Sequence, residues 1–369
     1  MALLAAFVAG GLMTGHTRAQ DGPRPAPPQI PQPSFRAPED VWKYGVKPED
    51  IKAGVRPDYT KLRDPLVVLP VRGNVYMIGG AGANIAMLVT DEGVLLVDAG
   101  AEAAADRVIT EYKKMTPRQL RWIIDTSVDM DNTGGNEKVS KSVPAPAAGA
   151  GGGGAGGAAG FNGAGASILA FENTLNRMSA PTGQAASRPT DAWPTDTFFT
   201  ARKNIYYGEP IELQHVPAAH TDGDIMVFFR RSDVIASGDL YSTDRFPFID
   251  AEKGGSINGI IDGLNRLVGM AVPEYNQQGG TRIIPGHGRV SNQTDVVEYR
   301  DMATIVRDRM ATMVKKGATL DQVKAAHLTL DYDGNYGSTT GAWTTDMFIN
   351  ECYKELVAAN APKVAPKKK

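Results

Sequence analysis

Asp125-Thr126-Ser127-Val128-Asp129-Met130-Asp131-Asn132-Thr133-Gly134-Gly135-Asn136 is a polar run that directly follows the apolar Leu120-Arg121-Trp122-Ile123-Ile124. The apolar residues predict a buried strand, so the polar ones occupy the loop at its C-terminal end. Active sites of α/β proteins gather at that end of a sheet.

Upstream, the pattern is strand-like over 66–71, 75–78, 84–90 and 94–97, with Asp91-Glu92-Gly93 as a hairpin turn. Asp98-Ala99-Gly100 leads into a helix over 101–115, which ends before Pro117. Downstream, 144–166 is dominated by Ala and Gly, too poor in side chains to specify a packed structure, and reads as a flexible insertion. Ser167 to Ala170 resumes as a strand running into a helix after Phe171. Further strands are expected over 211–215, 224–229 and 233–237, and helices over 256–269, 294–315 and 344–359. In the helix over 294–315, Val297, Met302, Ile305, Val306 and Met313 mark the apolar face.

Three further landmarks follow in order. Val216-Pro217-Ala218-Ala219-His220-Thr221-Asp222-Gly223-Asp224 precedes a strand. Ser237-Gly238-Asp239-Leu240-Tyr241 follows one, and Ile283-Ile284-Pro285-Gly286-His287-Gly288 is a strand entering a turn. With the opening loop, these segments resemble the metallo-β-lactamase superfamily, whose first loop reads H-x-H-x-D-H. The resemblance covers residues 66 to 300 and implies an αββα sandwich, an α/β (α+β) fold of two mixed sheets flanked by helices. In its register Ser127, Asp129 and Asn132 stand where histidines are expected, while Asp131, His220, Asp239 and His287 keep their ligand types. Phe171 stands where a further histidine is expected.

The resemblance implies metal-bound water as nucleophile, because cation charge brings the water pKa to about 7. Asp131, Asp239 and His287 form one expected position for a metal, with Asp131 also assigned to the chemistry. His220 and Asp129 are what remains of the other, with Ser127 and Asn132 only weak candidates. Carboxylates attract a cation but also neutralise it. The expectation is therefore one zinc ion rather than two, with iron or manganese as alternatives, held at the first position. A hydrolase acting on an ester, lactam, thioester or phosphoester is one reading; a catalytically silent binding or scaffold protein is the other. Each residue also has a plainer role: the aspartates as turn or helix caps, the histidines as hydrogen-bonded loop residues. Asp129 reads equally well as an exposed loop aspartate. His215 and His327 read as structural, and the loop around Arg245 and Phe246 as a region that touches substrate.

The 369 residues are 42% hydrophobic with a formal net charge of −2, enough for a large core and no signature of nucleic-acid binding. Residues 2–13 are apolar but too short to span a bilayer, and Thr17-Arg18-Ala19 follows, so 1–19 reads as a signal peptide and the protein as periplasmic or secreted. Residues 20–64 read as a Pro-rich linker and extension, 65–317 as the domain of the resembled fold with the insertion 144–166, and 318–369 as a helical extension with a basic tail ending Lys367-Lys368-Lys369. The single Cys352 excludes an intrachain disulfide and reads as a buried structural thiol. Small-molecule substrates are the expected partners.

Overall fold

The computed structural model describes residues 65–143, 165–179, 185–272 and 279–360. The expected leader, the Pro-rich segment, most of the Gly/Ala-rich insertion and the basic tail lie outside them.

Seven strands form the first sheet in chain order: β1 (Val67–Arg72), β2 (Val75–Gly79), β3 (Ile85–Thr90), β4 (Gly93–Val97), β5 (Leu120–Ile124), β6 (Ser167–Phe171) and β7 (Asp196–Phe198). β1 to β4 pair antiparallel, the β3–β4 hairpin closing at the Thr90–Gly93 pair, whereas β4 to β7 pair parallel. The second sheet holds β8 (Arg202–Tyr207), β9 (Glu209–His215), β10 (Ile225–Phe229), β11 (Val234–Ala236) and β12 (Arg282–Ile284), in the order β12-β11-β10-β9-β8. Only β11 and β12 pair parallel in it.

Central strands are apolar at every position because both of their faces are covered. Along β4, Leu95 and Val97 enter the layer between the sheets, while Val94 and Leu96 point out to the helix Ala105–Met115. Along β10, Ile225, Val227 and Phe229 face inward, and Met226 and Phe228 face the helices Ile257–Met270, Gln293–Lys315 and Thr345–Asn360. The period of two in a strand thus sorts consecutive hydrophobes into different cores, giving the helix–sheet–sheet–helix layering expected from the resemblance.

Several details depart from the sequence reading. The buried face of the helix Gln293–Lys315 runs through Val296, Tyr299, Met302, Val306, Met310 and Val314, while Ile305 is exposed. Phe246 is 1% exposed and stacks on Phe348 at 4.9 Å, so it belongs to the core and not to a substrate loop. β7 and β8 were not anticipated. β8 alternates exposed and part-buried residues, as an edge strand does. Cys352 is buried as expected, in the core shared with Phe348 and Leu356.

Candidate metal centre

The loop after β5 is locked from behind. Asp98, at the end of β4 with φ of 67°, accepts hydrogen bonds from Thr126 N at 2.8 Å, Thr126 Oγ1 at 2.6 Å and Asn132 Nδ2 at 3.2 Å. Asn136 Nδ2 donates to Asp125 Oδ2 at 2.9 Å. Asp129 then opens the short helix Met130–Thr133 with its backbone only: its carbonyl accepts from Thr133 N at 2.9 Å, and its side chain caps nothing. That leaves the carboxylate free to turn inward.

There it meets residues brought by the second sheet. His220, after β9, donates from Nδ1 to the Phe248 carbonyl at 3.0 Å, which orients the ring and aims Nε2 at Asp129 Oδ2, 2.9 Å away. Asp239 Oδ2, in the turn after β11, lies 3.9 Å from the same nitrogen. His287, after β12, places Nε2 at 3.3 Å from Asp239 Oδ1 and 3.2 Å from Asp131 Oδ2. Donor atoms of Asp129, His220 and Asp239 lie within 4.8 Å of one another. These three sit at the position the sequence reading expected to be the weaker one. Asp131, whose side chain is 35% exposed, stands beside His287 at its edge. Asp129 is not an exposed loop residue, since its side chain is only 11% exposed.

Gly286 shows how tightly these turns are nested. A Cβ there would collide with Asp239 Oδ1 and with the Gly238 backbone. The Pro-Gly-His-Gly turn therefore needs glycine at this point to bring His287 against Asp239. Asn84, from the turn between β2 and β3, donates to the Pro285 and Gly288 carbonyls, each at 3.0 Å, and ties this turn to the first sheet.

Ser127 and Asn132, the two weak ligand candidates, do not join the group. Both are fully buried: the Ser127 hydroxyl accepts from Asp129 N at 3.3 Å, and Asn132 supports Asp98. Phe171 stacks on His215 at 3.5 Å, and His215 Nε2 bonds the Asp222 carbonyl at 2.9 Å, a structural role for both. Exposed His327 joins local backbone hydrogen bonds with Lys324 and Leu330, outside this network. The residue that sequence reasoning missed is Lys253, whose ammonium donates to Asp129 Oδ1 at 2.8 Å and Asp250 Oδ2 at 2.6 Å. It is 124 residues from Asp129 and carries no local signal.

Three carboxylates, Asp129, Asp131 and Asp239, face one ammonium, leaving a negative balance that a divalent cation or two imidazoliums would neutralise. Burial opposes the charged imidazole at His220, but the Asp129 hydrogen bond with Asp224 and Asp239 nearby carries it up to about 10. At His287, burial and Arg245 are outweighed by Asp131 and Asp239, and the value rises to about 9. Burial is likewise outweighed at Asp129 by His220 and Lys253, and at Asp239 by His287 and His220, so both carboxyls are held below their usual range. Asp239 Oδ1 is buried and lacks an aligned hydrogen-bond partner despite the nearness of His287. A buried carboxylate whose oxygens each face an imidazole without an aligned hydrogen bond has coordination capacity left for a cation. The oxygen and nitrogen donors of Asp129, His220 and Asp239 suit zinc, iron or manganese, so the residues fit a cation.

Buried carboxyls outside this group shift the other way. Burial, offset partly by Thr126, pushes Asp98 up to about 7, and burial pushes Asp224 up to about 7. Each binds its proton more tightly folded than unfolded, so its stabilising contribution is complete below an ordinary carboxyl pKa and is lost as pH rises through about 7. Chelator-treated protein should therefore lose about 1.4 kcal/mol of stability per pH unit for each of the two groups, about 3 kcal/mol per unit together, between roughly pH 5 and 6, tapering toward 7. Asp129 does not cancel this, because a lowered carboxyl pKa acts only at more acid pH. Urea midpoints measured across that interval, with Asp98→Asn flattening the slope, check the expectation; a midpoint that climbs with pH overturns it.

A cavity of about 630 Å³ opens beside the group, lined by Asp129, Asp131, Arg177, Arg188 and Lys253 among others. Among the described residues no helix is long and apolar enough to cross a membrane.

A family model described as the metallo-beta-lactamase superfamily matches residues 78–287. No curated protein matches the sequence. Among solved structures, the stereoselective inverting sec-alkylsulfatase Pisa1 from Pseudomonas sp. is 14% identical, with 82% of this chain and 52% of that chain covered and a TM-score of 0.59. A double mutant of sec-alkylsulfatase PisA1 aligns over the same shares at 13% identity and a TM-score of 0.59. The chain thus spans about half the length of these two proteins. A metallo-beta-lactamase from Pontibacter korlensis is 15% identical, with 65% of this chain and 99% of that chain covered and a TM-score of 0.45. At these identities the likeness concerns the fold.

Proposed function

The chain belongs to the metallo-beta-lactamase superfamily, and from that premise we propose that it is a hydrolase with an altered, acid-rich centre for one zinc, iron or manganese ion. The observation that carries the reading is the convergence of the Asp129, His220 and Asp239 donor atoms within 4.8 Å of one another, all three buried. Asp129, His220 and Asp239 would hold the cation, which when bound supplies Lewis acidity and an acidified water.

The chain's own groups set the rest. The Phe248 carbonyl orients the His220 ring with Nε2 toward Asp129 and Asp239. Lys253 occupies one oxygen of Asp129, leaving Oδ2 for the centre. Asp131 lines the cavity and lies 3.2 Å from the buried His287 Nε2, so a proton shared between them can reach a leaving group through Asp131. The cavity is of a size for a small ester, lactam, thioester or phosphoester, and the fold likeness to sec-alkylsulfatases adds a sulfate ester to the substrates to be tried.

One observation favours a silent protein: the Lys253 ammonium already neutralises part of the carboxylate charge at Asp129. Protein purified without chelator separates the readings. About one equivalent of transition metal per chain, with chelator-sensitive hydrolysis of a nitrophenyl ester panel, is expected of the hydrolase. Metal-free protein without turnover would leave the binding or scaffold reading in its place.

A further inference from the structure

The cations in the wall of the 630 Å³ cavity are not equivalent. Arg177 is spent on Asp222, with Nε 2.8 Å from Oδ1 and Nη2 2.7 Å from Oδ2. Lys253 is spent on Asp129 and Asp250. Arg188 differs: Nη2 donates to the Val128 carbonyl at 3.2 Å and Nη1 to the Ser187 carbonyl at 3.3 Å. Its Nε is buried without a hydrogen-bond partner, and no ion pair joins it to a carboxylate among the described residues.

Carbonyl oxygens satisfy N–H groups but do not neutralise a charge. A guanidinium has five N–H groups, so Arg188 keeps donors to spare. The wall hydroxyls cannot substitute for it, because Ser179 Oγ donates to Leu175 O at 2.9 Å and Ser187 Oγ to Arg177 O at 2.7 Å. The carbonyl that receives Nη2 belongs to the residue immediately before Asp129, so the guanidinium is fixed one residue from the candidate centre. A half-buried guanidinium with spare donors and no carboxylate within ion-pair distance, only the more distant charge of Asp129, faces a cavity of small-molecule size and can receive an oxyanion.

We propose that Arg188 anchors an anion-binding subsite in this cavity and that the ligands it takes are small organic anions bearing a carboxylate, sulfate or phosphate group. This deepens the hydrolase reading by naming its substrate class, and rests on that reading only for the word substrate.

Titration calorimetry with succinate and with inorganic sulfate, on the full chain before and after chelation, tests it. Both anions are expected to bind the parent protein in the millimolar range whether or not chelator has been used. Arg188→Met should weaken binding by about tenfold or more, and Arg188→Lys, which keeps the charge without the fork, should fall between. No binding by the parent at about 10 mM, or equal binding by parent and Arg188→Met, overturns the subsite. Melting temperatures of the variants close to the parent's establish that the loss is not one of folding. Arg188-dependent binding in a protein that holds no metal would keep the subsite and remove the hydrolase. Chelator-sensitive hydrolysis without anion binding would do the reverse.

Discussion

Replacing Asp239 by alanine is expected to bring bound metal far below one equivalent per chain and to cut turnover by about a thousandfold or more. Its two oxygens lie 3.3 Å from His287 Nε2 and 3.9 Å from His220 Nε2, so one side chain serves both imidazoles. No other carboxylate can move into its place, because Asp129 is held by Lys253 and Asp131 stands at the cavity edge. Asp239 caps no helix, so the cost to the chelated scaffold is confined to the two buried imidazoles it faces, which lose a neighbouring negative charge. Metal content by mass spectrometry, chelator-sensitive turnover and thermal melting of chelated protein measure the three consequences separately. Parent-like metal content in the variant would place the cation elsewhere, or nowhere.

Restoring the histidine that the superfamily motif expects at position 132 should not repair the centre but damage the fold. Asn132 is fully buried and donates from Nδ2 to Asp98 Oδ2 at 3.2 Å and to Thr126 Oγ1 at 3.4 Å. Its carbonyl accepts from Ala99 N at 2.8 Å. An imidazole there needs more volume and withdraws a donor from Asp98, a carboxyl already fully buried. Overpacking and a disturbed buried acid each cost about 1–3 kcal/mol, so a loss of roughly 3 kcal/mol and a fall in melting temperature of about 10 °C are expected for Asn132→His. Urea unfolding measures it. Unchanged stability together with an added metal equivalent would show that the position remains a ligand site.

These two positions show what was legible in the sequence. His220, Asp239 and His287 could be singled out because the family resemblance expects ligand segments beside apolar strands, and each lies in a polar turn near one. The convergence of Asp129 with His220 was readable only through the family resemblance, as no local periodicity reports a contact 91 residues apart. Lys253 was hidden for the same reason, and nothing in the resemblance pointed to it. Ser127 and Asn132 look like eroded ligands in one dimension. Only packing shows that the scaffold has absorbed them. The buried face of the helix Gln293–Lys315 was misplaced because its hydrophobes spread over more than one face, and burial was decided by which of them met the second sheet's core. β7 and β8, short or half-exposed at the edges, carry too weak an alternation to stand out.

The donor group is divided between the two sheets, Asp129 following β5 of the first sheet and His220 and Asp239 following β9 and β11 of the second. Neither half survives if the sheets part, so an unfolded chain offers a cation almost nothing, and whatever binding energy there is accrues to the native state alone. Under the proposed function, free metal at a thousand times its dissociation constant would add about 4 kcal/mol to stability. Metal supply would then govern how long the protein persists as well as how fast it works: a starved molecule would be exposed to proteases more often, and its abundance would follow the metal content of its surroundings.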